Sequence, residues 1–145
     1  MKEFLLEMSK YAMEVLTKSK NLDKVVSFVE LCVGDIGDPH TSKQLAIVGE
    51  ELALNIFKYA YSEAPGEFAL RICLHPEQRK VTMEFRDAGQ PYNPLEYQIP
   101  DFEANISQRE IGGLGIALSR KLTDSQFYKY ENGQNILIVE KSVAT

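Results

Sequence analysis

The sequence predicts an α+β fold, a two-layer sandwich with a mostly antiparallel sheet and its helices on one face. Hydrophobic periodicity carries the first part of this, passing from helical spacing over residues 22–61 to strict alternation over 68–86. The alternating segments come in neighbouring pairs joined by turn formers, the pattern of hairpins. The resulting order of strand, helix, helix, strand, strand, long loop, helix, strand, strand fits helices gathered over one face of an antiparallel sheet.

Residues 1–10 are an N-terminal extension left without an element, because Phe4, Leu5 and Met8 fit either period poorly. Tyr11 to Leu16 alternates as a strand does. Asn21, or Ser19 before it, is a helix cap for a segment whose apolar residues Leu22, Val25, Val26, Phe28, Val29 and Cys32 recur at three and four, ending at Gly34. Asp35 to His40 reads as a loop, with Thr41 or Ser42 capping a second helix that runs to about Tyr61. Phe68, Leu70, Ile72 and Leu74 then share one strand face, and after the turn at Pro76–Arg79 so do Val81, Met83 and Phe85. Asp87 opens a loop dense in turn formers, through Gly89, Pro91 and Pro94. Residues 95–111 hold no period, contain Pro100 and are expected to form a mobile lid. A helical pattern follows the glycines at 112, 113 and 115. Two strands, Ser125–Tyr130 and Asn135–Glu140, close the chain around Asn132-Gly133, a strong hairpin signal.

The 145 residues suit one domain, 1–145, long enough to bury about two thirds of its unfolded surface without staples. A net charge of −5 argues against general affinity for nucleic acid or anionic membrane, so any phosphate must be held locally. Cys32 and Cys73 lie in apolar contexts without CxxC spacing and are expected as reduced thiols, which fits a cytoplasmic location. No apolar run reaches the roughly 18 residues of a membrane span.

Within the second helix, Glu51, Asn55 and Tyr59 are four apart and share one stripe beside Leu45, Val48, Leu52 and Ile56. Two readings fit: a solvated helix edge, or a site whose ligand supplies the partners that buried polar groups need. Gly112, Gly113 and Gly115 likewise read either as tight packing or as backbone brought close to phosphate at a helix terminus.

Taken in order, Glu51-x-x-x-Asn55, Asp87-x-Gly89-x-Pro91-Tyr92 and Gly112-Gly113-Leu114-Gly115 resemble the GHKL (Bergerat-fold) ATPase superfamily, and within it the bacterial anti-sigma-factor serine/threonine kinases. The resemblance covers nearly the whole chain from about Tyr11, including Leu122-Thr123-Asp124 and Gln134-Asn135-Ile136-Leu137. It implies ATP and Mg²⁺ as cofactors, Glu51 as general base and Asn55 as the Mg²⁺ ligand. By the same resemblance Asp87 would accept a hydrogen bond from the adenine amino group and Gly89 would let the base approach. Gly112, Gly113, Leu114 and Gly115 would line the phosphates, with Arg109 as a cation for the outer ones. Where many relatives carry His four residues after the asparagine, this chain has Tyr59. His40 and His75 adjoin prolines in expected loops, so there is no phosphoacceptor helix. The family's partners would be a STAS-type anti-sigma-factor antagonist, a sigma factor and a second copy of the chain, the dimer forming through the sheet side. A nucleotide-gated module that sequesters a partner with little or no phosphotransfer is the alternative function.

Overall fold

The computed structural model describes residues 10–14, 22–34, 38–61, 66–96 and 111–143. Five strands, β1 (Lys10–Glu14), β2 (Phe68–His75), β3 (Lys80–Asp87), β4 (Ser125–Glu131) and β5 (Gln134–Ser142), form one sheet in the order β1-β2-β3-β5-β4. Every neighbouring pair is antiparallel. Among the described residues three α-helices accompany it: α1 (Leu22–Val33), α2 (Pro39–Asn55) and α3 (Ile111–Leu122).

The alternation read from the sequence sets which face is covered. Phe68, Leu70, Ile72 and Leu74 of β2 and Val81, Met83 and Phe85 of β3 are all buried, and pack with Val25 and Val29 of α1 and Leu45, Val48 and Leu52 of α2 in one core. Truncating a side chain as enclosed as Phe85, 1% exposed, to alanine costs about 3–5 kcal/mol in such a core. Gly49 lets α1 approach α2, since a Cβ there would lie 3.2 Å from Val29 Cγ2. The opposite sheet face carries ion pairs such as Arg86–Glu84 (3.0 Å) and Lys80–Glu140 (3.4 Å), partly exposed and worth little in stability.

Several boundaries move from their expected places. β1 spans Lys10–Glu14, so it begins one residue before Tyr11 and stops short of Leu16. The N-cap of α2 is Asp38, whose carboxylate accepts from His40 N at 3.1 Å and from Thr41 Oγ1. Pro39 follows at the first helical position, where its missing N–H and fixed φ are tolerated. Thr41 and Ser42 are therefore buried inside the first turns, and His40 is helical. The hydrogen bond from Thr41 holds the Asp38 carboxyl below its usual range. His75 ends β2, bonded through Nε2 to Thr82 Oγ1 at 3.0 Å, so neither histidine lies in a loop. Asn132 (φ 54°) and Gly133 (φ 77°) make the two-residue hairpin turn. At the expected lid, Leu95 and Glu96 belong to a 3₁₀ turn (Pro94–Glu96) and Ile111 already opens α3. Residues 97–110, the proposed caps Ser19 and Asn21, and the extension before Lys10 lie outside the described residues. Burial pushes the Cys32 thiol up to about 11, and Cys73 is also free, as expected of reduced thiols.

Candidate functional site

The site gathers around the C-terminal half of α2. Asn55 is 4% exposed, and its Nδ2 has no hydrogen-bond partner among the described residues. An orphaned buried amide costs about 1–3 kcal/mol, which a ligand would recover. Because the two ends of a carboxamide are interchangeable by shape, this end offers either a donor or an oxygen able to meet a cation. Just beyond Asn55 the helix widens into a π turn (Ile56–Ala60), and Tyr61 N donates to Ile56 O at 3.1 Å. Such turns are rare and concentrate at functional sites.

Asp87 continues the inward phase of β3 set by Val81, Met83 and Phe85, which aims an acid at the helices. It is 5% exposed. Its Oδ1 accepts from Gly89 N at 2.9 Å and from Asn135 Nδ2 at 2.8 Å, whereas Oδ2 has no protein hydrogen bond among the described residues. Burial raises the Asp87 pKa, and the bonds from Asn135 and Gly89 offset only part of that.

Asn135, part of the resemblance at the chain's end but given no site role there, organises this corner. Its Nδ2 also donates to Gln90 O at 2.9 Å, while its Oδ1 accepts from Tyr92 N at 2.9 Å and from the Tyr128 hydroxyl. Besides that resemblance, its sequence signal is an amide in the inward phase of β5, two residues before Leu137; the structure sets it in register with Asp87. Asn55, Asp87, Tyr92, Tyr128 and Asn135 line a cavity of about 20 Å³, room for roughly one water. That is far below the roughly 300–1,000 Å³ of an ordinary small-molecule site.

Gly89 is required by the helix end. A Cβ there would lie 2.5 Å from Ala60 O, and Gln90 N donates to that same oxygen at 2.9 Å. Tyr59, on the expected stripe, stacks on Tyr92 with centroids 4.8 Å apart. Glu51 stands one turn before Asn55, half-buried, with its carboxylate against Gly115 of α3. Its pKa is raised, first by burial and then by Glu50.

The structure thus brings Glu51, Asn55, Asp87, Gly89 and Gly115 to one region, while Arg109 lies outside the described residues. The glycine cluster departs from expectation, because Gly112, Gly113, Leu114 and Gly115 form the first turns of α3 and do not precede it. Each helical glycine costs about 1 kcal/mol relative to alanine, a penalty that the burial of Ile116 and Ser119 further along the helix can override. Among the described residues, no three His, Cys, Asp or Glu side chains form a ready metal site, and no helix is long and apolar enough to cross a membrane.

Residues 15–141 match the family described as histidine kinase-like ATPase domain. The chain belongs to that family. This is the superfamily that the three motifs resemble, and its ATPase domain implies nucleotide binding. Within it, the chain is 27% identical over 94 residues to the serine/threonine-protein kinase BtrW of Bordetella bronchiseptica, covering 64% of this chain and 65% of that protein. The chain thus spans under two thirds of that relative's length. Two solved structures share the fold. The histidine kinase domain of the Erythrobacter litoralis EL346 blue-light-activated histidine kinase aligns with a TM-score of 0.53 at 13% identity, over 90% of this chain and 67% of that one. A chain of the SiaB-SiaC complex from Pseudomonas aeruginosa aligns at 0.57 with 11% identity, over 97% and 94%. Both bear out the α+β ATPase-like sandwich for this member of the histidine kinase-like ATPase domain family.

Proposed function

We propose that this kinase-like ATPase domain is an ATP-dependent serine/threonine protein kinase that phosphorylates an antagonist protein and so regulates transcription by partner switching. The observation that carries it is the unpartnered Asn55 amide, in one cavity with the free oxygen of Asp87 and one helical turn from a half-buried Glu51. A solvated helix edge explains none of these, because Asn55 is enclosed and its amide unsatisfied.

Each residue has a separate task. Asp87 Oδ2 accepts the adenine amino hydrogen while Asn135 and Gly89 hold Oδ1 still. Glu51 takes the proton from the attacking serine or threonine hydroxyl, and its raised pKa makes it a stronger base than an exposed glutamate. The Asn55 carboxamide oxygen, with phosphate oxygens, would hold Mg²⁺; the orphaned atom is the amide Nδ2, and turning the amide over presents the oxygen in its place. When bound, that ion supplies charge neutralisation at the phosphates. Arg109 and the backbone of Gly112, Gly113 and Leu114 are the remaining phosphate donors, which completes what phosphoryl transfer needs in positioning and charge. A STAS-type antagonist, a sigma factor and a second copy of the chain are the partners of this reading. The fold shared with a chain crystallised in a two-protein complex supports a protein partner.

The test pairs two variants on the full chain with Mg²⁺-ATP and the products of neighbouring genes, read by intact mass and calorimetry. Glu51→Gln keeps size and removes the proton acceptor, so transfer falls by about 10²- to 10⁴-fold with nucleotide affinity nearly unchanged. Asn55→Ala loses Mg²⁺-dependent affinity and transfer together. A wild-type chain that holds a partner in a nucleotide-dependent way, adds no phosphate to any protein and is indifferent to Glu51→Gln is a sequestering module, and the kinase reading is then wrong.

A further inference from the structure

We propose that Gly115 is a positioning residue for Glu51, its absent side chain leaving the slot in α3 that seats the carboxylate. The slot exists in the structure whatever the reaction; only its catalytic meaning rests on the kinase reading. A Cβ built on Gly115 collides with Glu51 Oε2, lies 3.0 Å from Cδ and 3.7 Å from Cγ, and has no other atom among its three nearest neighbours. The three atoms nearest that Cβ thus all belong to the end of the Glu51 side chain. Glu51 is anchored mid-helix and Gly115 is buried on the fifth residue of α3, so the contact is between two elements and is not a local turn. Among the described residues, Glu50 is the charged group that acts on Glu51, so packing against α3 has no salt bridge to replace it.

The same geometry predicts that alanine at 115 is folded but displaced. The collision falls on the far end of a flexible side chain, which swings aside at little energetic cost, whereas the equivalent substitution at Gly89 strikes the backbone of Ala60. A glycine that lines phosphate loses nucleotide when it gains a methyl group; a glycine that seats the base loses the base and keeps the nucleotide.

The experiment labels glutamate carboxyl carbons in the full chain, with Glu51→Gln to assign the signal, and follows each titration by NMR. In the wild type Glu51 titrates above the ordinary glutamate value near 4.3. Gly115→Ala should return it toward that value, leave ADP affinity within about twofold, and lower kcat by about 10- to 10²-fold with KM for ATP nearly constant, since misplacement by an ångström costs on that order. Glu51→Asp shortens the acid and vacates the slot, so adding Gly115→Ala to it should lower kcat and melting temperature no further. An unmoved Glu51 titration in folded Gly115→Ala, or strictly additive losses in the double variant, overturns the proposal. The titration is read without any transfer, so a chain that fails as a kinase still decides whether Gly115 seats Glu51.

Discussion

Asp87 divides its two oxygens between protein and cavity, and that division predicts what its amide would do. Asp87→Asn keeps a carbonyl oxygen for Gly89 N and Asn135 Nδ2 but presents an NH₂ donor to the cavity. Adenine nucleotide affinity should fall by about 10²-fold or more, because donor then faces donor, and the preference for ATP over GTP should vanish in calorimetry. The same variant reports on linkage. The folded-state pKa of Asp87 is raised, so the native state binds its proton more tightly than the unfolded chain does. The wild type's stability relative to Asp87→Asn is therefore greatest below about pH 3.9 and declines as pH rises through the raised value. Thermal melts across that window should show the difference shrinking upward and level above it; a difference that grows with pH contradicts the assigned direction.

At the level of elements, α2 is the organising piece, held at one end by Asp38 and at the other by the loop after β3. That loop reaches the helix because Gly89 lies on Ala60 and Gln90 bonds both Ala60 O and Tyr59 O. Gly89→Ala puts a methyl group into backbone that cannot rotate away, so it should destabilise by about 1–3 kcal/mol in chemical denaturation and weaken nucleotide binding as the loop lifts. Tyr61 supports the same junction from below, donating to Glu67 O at 2.7 Å and accepting from Ala88 N at 2.9 Å.

Across the whole molecule, β5 lies between β3 and β4, so the closing hairpin, and not only the three motifs, shapes the site. Asn135→Ala should loosen Asp87, Gln90 and Tyr92 at once and reduce ATP affinity by about 10-fold, while Tyr128→Phe, which removes one of those bonds, should cost less; calorimetry on the two variants orders them. The hairpin's effect also marks where sequence reading runs out. The strand faces and Asp87's inward phase follow from a period of two, a local property. Asn135 lies 43–48 residues from Tyr92, Gln90 and Asp87, and no local pattern announces partners that far away. The contact of Glu51 with Gly115 depends on how α2 meets α3, and the Asp38 cap on a proline–aspartate geometry that Thr41 and Ser42 imitate in sequence. The motif residues are legible because chemistry restricts their type; their supporting shell is not, because many residue types could pack there.

The π turn after Asn55 has a consequence for the polar stripe of α2. In α winding, Tyr59 N would bond Asn55 O, but widening the turn by one residue hands that place to Ala60, as Tyr61 N to Ile56 O shows for the next bond. Residues after Asn55 therefore lie out of the α phase that sets Glu51 and Asn55 one above the other. From this widened turn the Tyr59 ring stacks on Tyr92, with centroids 4.8 Å apart.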